Sequence, residues 1–155
     1  MNLKILNEKQ KEDIEMKLNE QFGIKEIPGE VIMMGKEKLF LFSGSFDKKQ
    51  IKKMNYFTNI ERIGIYFAKI DERTHDIRLS IEGVYILKDQ IKKNIFNVPT
   101  QLVEEWMKGR ELNIKTGKKG FIVIKYKDDF LGTGKASEEK ISNFIPKIRR
   151  LKEKN

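Results

Sequence analysis

Apolar residues recur four positions apart at Ile14, Leu18 and Phe22, a stripe along one side of an α-helix. Asn7 precedes the run as a cap and Gly23 follows it as a stop, so the pattern predicts a helix from Asn7 to about Phe22. After the turn "IPG", the stretch "EVIMMGKEKLFLFSG" reads as a β-hairpin: Val31 to Met34, a Gly35-Lys36 turn, then Lys38 to Ser43. Asp47 is expected to cap a short helix carrying Ile51, Met54 and Phe57, and "ERIGIYFAKI" is the next strand. The first half is therefore expected to be a compact α/β unit ending near Ile70.

The polar stretch "DERTHD" looks like a hinge, and the boundary between domains 1–72 and 76–155 is placed in it. Beyond it, "DIRLS" is a short strand and Ser80 caps a helix from Ile81 to about Ile91. "NIFNV" is extended. Pro99-Thr100 opens a helix to Lys108 with Leu102, Val103, Trp106 and Met107 inward and Gly109 closing it. The last third reads as strand and turn: "ELNI", "GFIVIKY", a tight "DD" turn, "FLGTGKAS" and "KISNFIPKIRRL". No internal repeat or low-complexity tract interrupts the chain.

Charge changes this picture. The 155 residues hold 32 Lys and Arg against 23 Asp and Glu, a net of +9. From Lys118 onward eleven basic residues face five acidic ones, so +6 of that +9 lies in the last quarter of the chain. Strand alternation in "IVIKYK" sets Lys125 and Lys127 on the face opposite Ile124 and Tyr126. A concentrated basic surface favours a polyanion, with nucleic acid first among partners.

The stretch "DDFLGTGKAS" resembles the start of a nucleotide-phosphate loop, a strand followed by two glycines and a lysine. A P-loop would need glycine at position 129, where Asp129 stands, and Ser or Thr at position 136, where Ala136 stands. A dinucleotide fingerprint would need a third glycine where Ser137 stands. Gly132 and Gly134 are better read as strand glycines that mark a bulge or a close backbone approach.

Other chemistry is thin. His75 is the lone histidine and cysteine is absent, which excludes disulfides, a thiolate nucleophile, Cys-ligated zinc and a histidine-based triad. Asp128-Asp129 suits a turn, and Trp106 suits the core. No catalytic residue, metal site or cofactor is expected. No apolar run reaches the roughly 18 residues of a membrane span, and the start of the chain has no secretory h-region, so a cytoplasmic protein without membrane contact is expected.

The segment "IRLSIEGVYILKDQIKKNIFNVPTQLVEEWMKGREL", followed by "GFIVIKYKDDFLGTGKASEEKISNFIPKIRRL", resembles the PUA domain, an RNA-binding pseudobarrel. The motifs that carry the likeness are "EWMKGR", "FLGTGK" and the ending "NFIPKIRRL". The likeness extends to RsmF-type proteins, associated with the Nol/Nop/Sun/Fmu RNA cytosine-C5 methyltransferases and with ribosome biogenesis. The resemblance covers 76–155 well and 1–70 more loosely. It implies an α+β fold, with an N-terminal α/β pre-PUA-like domain and then a PUA-like mixed β pseudobarrel with flanking helices. It also implies structured RNA, rRNA or tRNA, as partner, with an RNA methyltransferase or ribosome-assembly factors beside it. No SAM-binding glycine loop accompanies the likeness.

A non-catalytic RNA-binding protein is therefore expected, with Lys125, Lys135, Lys147, Arg149 and Arg150 neutralising phosphates. Gly132 and Gly134 would let the RNA backbone approach, and Asn143 would add a polar contact. The arginine pair after Pro146 is the strongest candidate, because a guanidinium fork grips phosphate bidentately. The alternative is a protein–protein adaptor partnering an RNA methyltransferase or assembly factor. It would need "VIMM" and "LFLF" to form an exposed patch, whereas a buried hairpin is the plainer expectation.

Overall fold

The computed structural model describes residues 2–42 and 64–152. The helix expected from Asp47 lies outside the described residues. Among those described, three α-helices and two sheets form a mixed α+β architecture.

The first sheet is an antiparallel meander in chain order: β1 (Leu3–Ile5), β2 (Glu30–Met34), β3 (Lys38–Phe42), β4 (Ile65–Ile70) and β5 (Ile77–Leu79). Helix α1 (Glu8–Phe22) is inserted between β1 and β2. Asn7 and Gln10 close a reciprocal capping box at its start. Gly23 ends it in the left-handed conformation (φ 79°) that a side chain would disfavour. Val31, Ile32 and Met34 of β2 and Leu39, Phe40 and Leu41 of β3 are buried, so the "VIMM" and "LFLF" runs form core and not a docking patch.

The stretch expected to act as a hinge is the turn joining β4 to β5. Asp71 Oδ1 accepts from the backbone N–H groups of Arg73 and Thr74, both at 3.0 Å, and β5 pairs with β4 from Ile70↔Ile77 to Ala68↔Leu79. Polar residues favour turns and linkers alike, and what distinguishes them is whether the next strand finds a partner. Here it does. Contacts also cross the 72–76 boundary: Gln21 exchanges two side-chain hydrogen bonds with the backbone of Ile77, and Gln90 bridges to Lys25 and Glu26.

Ser80 caps α2 (Ile81–Leu87) through the N–H of Gly83 at 2.9 Å, and the helix tightens into a 3-10 turn at Lys88–Gln90. The second sheet has the order β6 (Ile95–Asn97), β7 (Gly120–Tyr126), β8 (Asp129–Ala136), β9 (Ile141–Asn143). β6 runs parallel to β7 and the remaining pairs are antiparallel. Helix α3 (Thr100–Met107) links β6 to a long loop that leads into β7. The expected "ELNI" strand is reduced to one bridge, Leu112 to Ile141.

β7 is buried on both faces. Phe121 and Val123 join a core shared with Phe22, Phe67 and Leu79 of the first sheet and α1, while Ile122 and Ile124 join Trp106, Ile141 and Ile145. That explains why "FIVI" is a continuous apolar run: a strand buried on both sides has no polar face to alternate with.

Candidate nucleic-acid interface

The β7–β8 hairpin sets the geometry of this end of the molecule. Its turn is Lys127-Asp128, with Lys127 at φ 54°, and Asp129 already pairs with Tyr126 inside the ladder. The "DD" turn is thus shifted by one residue, and Lys127 leaves the strand alternation expected of it. Val123 faces Thr133 while Lys125 faces Phe130, so Leu131 and Gly132 together oppose Ile124. This is a β-bulge in β8, and Gly132 supplies its positive φ of 93°. Gly134 has the other reason for lacking a side chain. A Cβ there would lie 2.6 Å from Ile141 Cγ2 and 2.9 Å from Trp106 Cη2.

Beside the far end of β8 opens a cleft of about 860 Å³. Three segments build it: Arg73, Thr74 and Asp76 from the β4–β5 turn, Lys115 to Gly120 from the α3–β7 loop, and Lys135 to Glu138 from the end of β8. Arg73, Lys115, Lys118, Lys119 and Lys135 give it five cations against the carboxylates of Asp76 and Glu138. Asp76 is itself paired with Lys17 at 3.1 Å, and Lys115 with Glu139 at 3.5 Å. Among the described residues no carboxylate lies within ion-pair distance of Lys118 or Lys119. Lys135 lays its Nζ 5.5 Å from the centre of the Phe121 ring.

Asp71 stands behind this cleft with its carboxyl held below the ordinary carboxylate range. The backbone N–H of Thr74 is the main cause, with the N–H of Arg73, the Thr74 hydroxyl and the charge of Lys135 adding to it. The charged form of Asp71 thus fastens the turn that carries Arg73. Nearby, Glu72 is pushed up by sharing a hydrogen bond with Glu37, whose own carboxyl is pulled down by the same bond and by Lys69.

Residues 93–151 match the family model of the methyltransferase RsmF PUA domain. Over these residues the chain is similar to an RsmF-type PUA domain. The match takes in the second sheet and α3, and PUA domains associate a chain with RNA. No protein in a search of curated proteins matches this chain. Among the described residues no helix is long and apolar enough to cross a membrane, and no group of three or more His, Cys, Asp or Glu is placed to hold a metal ion.

The PUA domain disperses the eight residues expected to meet RNA. Lys135 lines the basic cleft. Lys125 sits at the hairpin end of β7 with its Nζ 5.3 Å from the Phe130 ring centre. Gly132 is buried and lines a smaller cavity beside α2, and Gly134 is buried beneath Trp106, so neither gives an RNA backbone an open approach at the cleft. Asn143 is committed to the fold. Its amide donates to the carbonyls of Trp106 (2.8 Å) and Arg110 (3.0 Å), and its oxygen accepts from the N–H of Ile145 (2.8 Å). Arg150 donates from Nε to the Ile145 carbonyl at 2.8 Å and lies across Gly109, where a Cβ would come 2.2 Å from that nitrogen. Arg149 pairs with Glu82 of α2 at 2.6 Å, and Lys147 is exposed in the 3-10 turn Lys147–Arg149. The arginine pair is therefore a strap that ties the chain end to α2 and α3, not a ready phosphate fork.

Sequence reasoning did not bring Arg73, Lys115, Lys118 and Lys119 to this cleft. The signal for three of them is "KTGKKG", lysines set among glycines in a loop ahead of a strand. Arg73 gave no such signal, because its turn reaches the cleft only through the pairing of β4 with β5.

Proposed function

We propose that this chain is a non-catalytic RNA-binding protein that holds structured rRNA or tRNA in the cleft between the β4–β5 turn, the α3–β7 loop and β8. The observation that carries the reading is the convergence of Arg73, Lys115, Lys118, Lys119 and Lys135 on one concave surface at the edge of the PUA domain. Cations so placed neutralise consecutive phosphates and release counterions, which supplies most of the affinity for a polyanion. Thr74 and Ser137, which line the same cleft, offer hydroxyls to phosphate or ribose 2′-OH groups.

The protein's part in this scheme is to grip and orient RNA. Its sequence has no cysteine, so a thiolate attack of the kind used in cytosine-C5 methylation has no nucleophile in these residues. We assign any modification chemistry to a separate RNA methyltransferase acting on the same RNA, in ribosome biogenesis or RNA modification.

The test is to crosslink the protein to RNA in cells, sequence the fragments, and measure its affinity for the recovered species. Recovery of rRNA or tRNA fragments, with affinity that falls as salt rises, is expected. Protein that purifies without RNA at low salt and shows no affinity for tRNA or rRNA fragments would overturn the reading.

A further inference from the structure

A second concavity lies beside the bulge in β8, sharing no lining residue with the basic cleft. Its floor is apolar: Ile81 and Val84 of α2, Phe130, and Gly132. Its rim carries Tyr85, Lys88, Asp128 and Asp129. The volume is about 160 Å³, the room of about five water molecules at ~30 Å³ each. This is far less than a drug-sized ligand needs, and of the order of one flat heterocycle.

The cavity exists because of the bulge. Gly132 turns through φ 93°, and its missing Cβ would stand 3.6 Å from Ile145 and 3.7 Å from Ile81, so the backbone itself forms part of the floor. On the rim stands Tyr85, 69 % exposed on a helix where Val84 and Leu87 are buried and Ile81 and Ile86 half-buried. A large aromatic ring left in water beside an apolar slot is a stacking surface for a planar ligand.

The rim chemistry narrows the ligand. Asp128 and Asp129 are acceptors only, so the edge that meets them must donate hydrogen bonds. The Watson–Crick edges of adenine, cytosine and guanine carry amino donors, whereas uracil presents one imide N–H flanked by two carbonyl acceptors that carboxylates repel. A cationic protein side chain is disfavoured. Lys88 already holds its Nζ 4.4 Å from the Tyr85 ring centre, and Lys125 holds its own 5.3 Å from that of Phe130. Those same lysines favour a phosphate that arrives with a base. Gly132 and Lys135 are three residues apart on β8, about 10 Å, so the cavity and the basic cleft lie within reach of one strand of RNA.

We propose that the Tyr85–Gly132 cavity takes a single unpaired nucleobase bearing an exocyclic amine, from the RNA held in the basic cleft. This rests on the RNA-binding reading, but its test does not. Adenosine, cytidine and uridine monophosphates are titrated into labelled protein while the Gly132 amide and Tyr85 ring signals are followed. AMP and CMP should shift both signals, UMP should not, and Tyr85→Ala should abolish the response. In parallel, oligo(A) and oligo(U) of equal length are compared by fluorescence anisotropy. Wild type should favour oligo(A) by about tenfold. D128N/D129N and Tyr85→Ala should reduce that preference, and the charge-reversal K118E/K119E should weaken both ligands equally.

Signals that no mononucleotide moves, with a Tyr85→Ala variant that keeps full preference, would overturn the proposal even if RNA still binds the cleft. Shifts caused by a lysine-rich peptide and not by AMP or CMP would overturn it in favour of a protein side chain. If no RNA binds at all, the mononucleotide titration still decides whether the cavity accepts a base.

Discussion

The indole Nε1 of Trp106 donates to the carbonyl of Leu131 at 2.7 Å, fastening α3 to the bulged segment of β8. A bulge leaves backbone groups without ladder partners, and a tryptophan is among the few apolar core residues able to satisfy a carbonyl. Trp106 is fully buried, so it serves the fold and is not a stacking platform. Trp106→Phe keeps an aromatic ring and removes the donor. We expect a loss of about 1–2 kcal/mol in denaturant unfolding from the hydrogen bond, with further loss from the unfilled volume.

Gly132 and Gly134 should fail differently on substitution by alanine. At Gly134 the new methyl would meet Ile141, Trp106 and the backbone oxygen of Ser142 within 2.9 Å, an overpacking cost of roughly 1–3 kcal/mol. At Gly132 the new methyl would make only ordinary van der Waals contacts with Ile145 and Ile81, so the positive φ alone is strained, for roughly 1–2 kcal/mol. Ile141→Ala removes the Cγ2 methyl that the new side chain would meet, so its cost and that of Gly134→Ala should combine to less than their sum, whereas its cost and that of Gly132→Ala should simply add. Thermal melts of the single and double variants check this.

Asn143 and Arg150 are expected to matter for stability and not for RNA affinity. Asn143→Ala would strip one donor from the carbonyl of Trp106, which also accepts from the N–H of Gly109, and one from the carbonyl of Arg110 just past the end of α3. A loss of about 1–3 kcal/mol follows. Binding measured well below the melting temperature should be unchanged for Asn143→Ala and for Arg150→Ala. A tenfold loss of affinity in fully folded protein would return these residues to the interface.

Much of the fold was legible because local signals agreed with tertiary demands. Asn7, Gly23, Ser80, Pro99 and Gly109 all sit at helix ends as their chemistry predicts, and Gly35 turns the β2–β3 hairpin. The reading of "FLGTGK" as strand, with glycines that mark a bulge or a close approach, also holds; the structure gives the bulge to Gly132 and the close approach to Gly134. The site was less legible for a physical reason. A positive residue near a chain end looks the same in sequence whether it faces solvent, pairs with Glu82 as Arg149 does, or lies over Gly109 as Arg150 does. Only the pairing of β5 with β4 brings Arg73 to the lysine loop, and that pairing depends on three residues too short to announce their partner.

Acid should loosen the cleft at the Asp71 turn. The folded carboxyl lies below its ordinary value, so its stabilising effect is fully present above the unfolded-state value and is lost as pH falls through the folded one. The Asp71 carboxyl should titrate in NMR below a freely exposed aspartate, and the Arg73 and Thr74 amides should lose protection in the same acidic range. Asp71→Asn should remove that acid transition. If Asp71 titrates at the ordinary value, the charged carboxylate is not what holds the turn.

The salt dependence of RNA binding locates the phosphates. Each phosphate neutralised contributes about 0.7 to the magnitude of the slope of log K against log salt on single strands and about 0.9 on duplex, so four to six contacts give roughly −3 to −5. K118A/K119A removes two cations that face the cleft without a carboxylate partner among the described residues. It should therefore flatten the slope by roughly 1.4 to 1.8. Arg149→Ala removes a guanidinium already paired with Glu82 and exposed at the surface. It should leave the slope nearly unchanged and cost below about 1 kcal/mol of stability. The opposite result, a flat response to the lysine pair and a clear loss with Arg149→Ala, would move the interface from the cleft to the C-terminal strap.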